Sequence, residues 1–147
     1  MATTKSSSNL QPASLLRMAL WLFLILFAAR FVVKDAFPYF GLSEEVFGRY
    51  WEVKWTLVGH ISSGIVALLI GPFQFSKAFR TKYLKVHRLL GKTYLTAIII
   101  GTICSTYLAW TSGLAVHWTW ALSLQMLALA WICTATMAFI AIKRKHV

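Results

Sequence analysis

Four apolar runs, each close to the roughly 20 residues that an α-helix needs to cross the hydrocarbon of a bilayer, decide what this chain can become. They cover residues 15–33, 53–75, 87–110 and 118–142. Hydrocarbon offers no water to backbone N–H and C=O groups, so each run must close its own hydrogen bonds as a helix. Of the 147 residues, 59% are hydrophobic, far above the usage of a soluble domain of this length. The expected fold class is all-α, a four-span transmembrane helical bundle over residues 14–147. Residues 1–13 are rich in Ser and Thr, lack apolar periodicity and read as a disordered tail. The alternative for the first run is a cleaved signal peptide, with Lys5 and Arg17 ahead of an apolar stretch ending in Ala28 and Ala29. The run continues past Arg30 into Phe31, Val32 and Val33, which favours a span.

Charge gives the spans a direction. The chain carries 15 Lys and Arg against 4 Asp and Glu, a net charge of +11. In a soluble protein that balance would suggest nucleic acid. Here the charges flank apolar runs, which points to a bilayer with anionic head groups as the partner and excludes nucleic acid. Between the first two runs lie all the acids, Asp35, Glu44, Glu45 and Glu52, among Phe37, Tyr39, Phe40, Phe47, Tyr50 and Trp51, the composition of a segment lying at the membrane interface. Glu44 and Glu45 are adjacent and point in different directions on a helix or strand, which argues against a catalytic carboxylate pair. The next loop holds Lys77, Arg80, Lys82, Lys85 and Arg88 with no acid, the third has no Lys or Arg, and the C-terminus ends in Lys143, Arg144 and Lys145. The positive-inside rule then puts both termini and the second loop in the cytoplasm. Cys104 and Cys133 fall within apolar runs and no Cys-x-x-Cys occurs, so both read as small packing residues rather than thiolate ligands.

The distinctive residues crowd between His60 and Tyr94. Gly64, Ala67 and Gly71 follow His60 at four, seven and eleven positions, one face of a helix that a neighbour can approach closely. Pro72 is expected to end or kink that helix beside the basic turn. Gln74 is expected to cap or bridge the turn. In the third run Gly91, Tyr94, Ile98, Thr102 and Ser105 stack on the face of His87, and in the fourth Ala121, Ala128 and Ala135 recur every seven residues. Gly64, Ala67, Gly71 and Gly91 are the candidate helix-packing positions. Lys77, Arg80, Lys82, Lys85, Arg88 and Lys92 are the candidate lipid or partner contacts.

The histidines offer chemistry. His60 and His117 begin the second and fourth spans at one surface, and His87 and His146 lie at the other. About 22 Å of helix separates His60 from Phe75, so His60 and His87 cannot share an ion. Two stacked bis-histidine sites are what a transmembrane carrier of b-type haem needs, each iron taking two axial imidazoles. The leading functional expectation is therefore electron transfer through haem b held by His60, His87, His117 and His146, with no other metal. The competing readings are interfacial histidines that only hydrogen-bond, and a non-catalytic packing or assembly module that binds a membrane-protein partner, a second copy of itself or anionic lipid. A small transporter is disfavoured because no span carries a carboxylate.

The elements His60-x3-Gly64, Ala67-Leu68-Leu69, Gly71-Pro72-Phe73-Gln74-Phe75 and His87-Arg88-x2-Gly91-x2-Tyr94, in this order, resemble DUF2306, a family of predicted membrane proteins, over about the last two thirds of the chain. The resemblance implies a multi-pass protein of the bacterial plasma (inner) membrane and brings no established activity with it. Members of the family usually continue through a further histidine-containing basic segment and more helices, so it also implies a shortened member or a fragment. The charge pattern makes the first testable statement: in intact cells a membrane-impermeant thiol reagent should label Ser43→Cys and spare Lys82→Cys. Labelling of Lys82→Cys from outside would reverse the orientation.

Overall fold

The computed structural model describes residues 12–144, and all the regular structure among them is helical. Most of the tail assigned to residues 1–13, and His146, lie outside the described residues. Pro12 and Ala13 do not belong to a tail, because they open the first helix, α1 (Pro12–Phe31). Proline suits that place, since its fixed φ is helical and its missing N–H would have had no partner in the first turn. Four helical stretches are long and apolar enough to cross a membrane, Ser14–Gly41, Glu44–Phe75, Leu84–Gly113 and Trp118–Ala141. The chain divides into two compact units after Phe37. In the first, α1 passes into a π-helical turn at Val32–Ala36, and Arg30 lies 3.4 Å from Asp35 in an exposed ion pair. Such a pair contributes little to stability, but Arg30 also complements the C-terminal end of the helix dipole.

The second unit starts with an aromatic collar. A short helix α2 (Glu44–Phe47) leads through a 3₁₀ turn at Gly48–Val53 directly into α3 (Lys54–Phe75). Phe47 is 2% exposed, with Tyr39 edge-on at 5.2 Å and Trp51 at 5.9 Å between ring centroids. The Lys54 ammonium sits 3.5 Å from the centroid of Trp51. Gly48 takes φ +49° and ψ −123°, a conformation that side-chain-bearing residues rarely adopt, and so permits the sharp change of direction between α2 and the collar. The aromatic segment thus continues helically into the span.

Pro72 neither ends α3 nor separates it from Gly71, because the helix runs on to Phe75. Proline deletes the hydrogen bond its own N–H would make, and with three helical residues left before Ser76 little ladder remains to disrupt. Ser76 ends α3 in an extended conformation and caps α4 (Lys77–Lys82), its Oγ accepting from the Phe79 N–H at 3.2 Å. The cap expected from Gln74 is therefore supplied by Ser76. After Tyr83 come α5 (Leu84–Leu108), a π-helical turn at Ala109–Gly113, and α6 (Trp118–Arg144).

α3 and α5 pack antiparallel along a seam of small residues. A methyl added at Gly59 would meet Cys104 Sγ at 3.2 Å, one at Gly101 would meet Ser63 Oγ at 2.7 Å, and one at Gly71 would meet Tyr94 at 3.8 Å. Ala67, Ala97, Ile98 and Thr102 are buried. The two hydroxyls most deeply placed are satisfied within their own helices, Ser63 donating to the His60 carbonyl and Thr102 to the Ile98 carbonyl, each at 2.8 Å. α6 adds Ala121 and Ala128, both buried, and Gln125, whose Nε2 donates to Thr106 Oγ1 at 3.1 Å. Ala135, next in that stripe, is half-buried.

One packing position is corrected. The face expected to run through His60, Gly64, Ala67 and Gly71 is instead Gly59, Ser63, Ala67 and Gly71, and a methyl at Gly64 would meet nothing within 4 Å. Residues four apart form the ridges along which helices interdigitate, and that row keeps the bulky His60 at the flank of the seam rather than in it. Gly101→Leu should therefore lower the yield of folded protein in mild detergent and destabilise it by about 1–3 kcal/mol, the usual effect of overpacking. Gly64→Leu should change neither. Equal losses at the two positions would show that the seam lies elsewhere.

Candidate functional site

The register of the seam fixes the depth of every candidate residue. His60 is level with Gly101, and its Nδ1 lies 3.0 Å from the Gly101 carbonyl oxygen. A carbonyl only accepts, so Nδ1 carries the proton in this contact and Nε2 presents a lone pair. Trp131 of α6 borders the same small crevice as His60, Gly64 and Ala67. His117 stands beyond Gly113, exposed, where its Nδ1 accepts the backbone N–H of Thr119 at 3.3 Å and lies 2.8 Å from the Thr119 hydroxyl. It caps the start of α6. Some 18 Å of helix lies between Gly101 and Gly113, whereas an iron held between two imidazoles spans only a few ångströms. His60 and His117 are not brought together.

His87 lies about 21 Å further along α5 from Gly101 in the other direction, against the edge of Phe79 at 6.5 Å between ring centroids. Its proposed partner, His146, is outside the described residues. Among the described residues no three His, Cys, Asp or Glu side chains gather as a metal site.

The two motif segments do converge, at the end of the seam nearest α4. Gln74 lies across the bare backbone of Gly91, where an added methyl would stand 3.1 Å from its Oε1, and Gly71 faces Tyr94. Phe73, Phe79 and Tyr83 follow one another at 5.3 and 5.6 Å, walling this end with rings. Gln74 Nε2 and His87 Nδ1 are both buried without a hydrogen-bond partner. His87 precedes Gly91 by one turn on the same face of α5, the side of the helix that Gln74 covers. Leaving such groups unpaired costs roughly 1–3 kcal/mol each, and Gln125 Oε1 at the α5–α6 contact is a third atom of this kind, so the feature is not peculiar to the two motif segments.

The opposite flank of the seam holds an open groove of about 520 Å³ between α3 and α5. Gly59, Ser62 and Val66 form one wall, Thr93, Thr96 and Ile100 the other, and Lys92 lies at its basic end. None of the hydroxyl residues of this groove stood out in the sequence. The available signal was the pair Thr93 and Thr96, three apart and therefore on one side of a helix that is otherwise apolar. Lys77, Arg80, Lys82, Lys85, Arg88 and Lys92 are all exposed, on α4 and the first turns of α5, at the same end of the molecule. Of the packing candidates, Ala67 is in the seam, Gly71 and Gly91 meet Tyr94 and Gln74, and Gly64 borders the His60 crevice without a neighbour.

No curated protein and no solved structure matches the chain. A family model described as a predicted membrane protein (DUF2306) matches residues 57–147. The match takes in His60 and both sides of the Gln74–Gly91 contact and covers more than half of the 147 residues, so the protein belongs to the DUF2306 family of predicted membrane proteins.

Proposed function

We propose that this protein is a non-catalytic membrane packing and assembly module that seats a membrane-embedded partner in the groove between α3 and α5. The groove is the observation that carries the proposal. Lipid tails are as apolar as leucine, so hydrophobicity gives one membrane component no reason to prefer this surface to bulk lipid. Close approach and hydrogen bonding do, and the groove supplies both through Gly59 and the hydroxyls of Ser62, Thr93 and Thr96. Thr93 donates to the Leu89 carbonyl at 3.2 Å, which leaves its oxygen free to accept from an occupant. The double variant Ser62→Leu/Thr96→Leu fills the groove while leaving the Gly101–Ser63 contact intact. Native mass spectrometry after extraction from membranes in mild detergent should show a bound species on the wild-type protein that the filled variant lacks at unchanged helix content. Identical spectra would reject the module.

A second reading, a haem b electron carrier, is favoured by one contact. Histidines that ligate metals almost always donate their other ring N–H to a carbonyl or carboxylate, and His60 does so to Gly101. Haem bound there would supply one-electron chemistry of its iron within the hydrocarbon. His60 fits as one axial ligand, with its ring held by Gly101. The described residues place no second imidazole beside it, so the other ligand would come from another chain. Protein expressed with excess haem should then show a Soret band that His60→Ala abolishes. A colourless preparation would reject haem without touching the groove.

A further inference from the structure

The groove and the basic end of α5 are continuous, and from that continuity we infer that the occupant is an anionic phospholipid, with one acyl chain between α3 and α5 and the phosphate held by Lys85, Arg88 and Lys92. The inference rests on the groove being a seat, as proposed above, and adds what sits in it. Lys85, Arg88 and Lys92 are spaced by three and four residues, which places them on one stripe of the helix. The last of them lines the groove. No Asp or Glu occurs from residue 77 to residue 92, so neither α4 nor the start of α5 carries a carboxylate to compete for these cations.

The dimensions favour a lipid chain over a protein helix. From the level of Lys92 to that of Cys104, which faces Gly59, the groove follows about 18 Å of helix. A helix with its side chains is about 10–12 Å across, and a segment of that length occupies on the order of 1,500 Å³. A helix would therefore rest on the open groove rather than lie within it. A single acyl chain is thin enough to lie within, against the methyls of Val66 and Ile100. Thr96 stands one turn deeper than Lys92 on the same side of α5, where the glycerol esters of a lipid follow its phosphate, and its hydroxyl can donate to an ester carbonyl. A neutral transmembrane helix would leave Lys92 at the mouth of the groove without an anion.

The test uses the full chain in vesicles of phosphatidylglycerol and phosphatidylcholine with identical acyl chains, extracted gently and examined by native mass spectrometry. Phosphatidylglycerol should be retained preferentially. Each charge removed, in Lys92→Gln and in Arg88→Gln, should weaken that retention about fivefold, and the double variant more than tenfold, with phosphatidylcholine unaffected. All three positions are exposed, so folding should be unchanged. Equal retention of the two lipids, or indifference of phosphatidylglycerol to the charge variants, would overturn the lipid. If Ser62→Leu/Thr96→Leu then still removed a bound protein, the module would stand with a different occupant. If it removed nothing, both would fall.

Discussion

Everything in the second unit depends on how closely the backbones of α3 and α5 approach each other. In lipid there is no solvent to drive apolar faces together, so association rests on dispersion between surfaces that fit and on hydrogen bonds the hydrocarbon cannot supply. Gly101 lies so near Ser63 that a methyl there would stand 2.7 Å from its oxygen, and Gly59 abuts the sulfur of Cys104. The His60–Gly101 bond crosses the same seam and pins its register. With that register set, α6 needs only Ala121, Ala128 and Gln125 to dock on the face of α5 that remains.

The same register distributes the chemistry. It separates His60 from His87 and from His117 by more than any shared ligand could bridge, and it sets Gln74 on Gly91. The seam also has two unlike flanks. One carries His60 and Trp131 around a narrow crevice, and the other opens into the groove lined by Ser62 and Thr96. At the end near α4 the two flanks share a belt of exposed cations. An occupant of the groove would therefore leave His60 uncovered on the other flank.

The sequence disclosed the spans because the requirement that selects them is crude: enough apolar residues in a row, with charge kept to the ends. It disclosed the packing face less well for a specific reason. Ala67 and Gly71 belong both to the row through His60 and Gly64 and to the row through Gly59 and Ser63, so the small residues of α3 fit two faces. What separates the rows is the partner, Gly101, which drew no notice alone. Pro72 stands three residues before α3 ends at Phe75, so the end expected beside the basic turn is displaced by those residues rather than absent. Gln74 was assigned to the turn because Gly91, the surface it covers, is 17 positions away in the chain. A groove between two helices has no signature in either one, since it exists only once their register is known.

The seam also decides what each helix would have to expose if it stood alone in lipid. Released singly into lipid, α3 would expose the imidazole of His60 and the amide of Gln74, with no Gly101 carbonyl to accept the one and no Gly91 to shelter the other. Each group would then face lipid or interface in place of its protein partner. Pairing with α5 gives His60 its acceptor and Gln74 its cover, so the two helices suit lipid better as a hairpin than singly. The unit of stability in lipid is then the pair of helices rather than the single span.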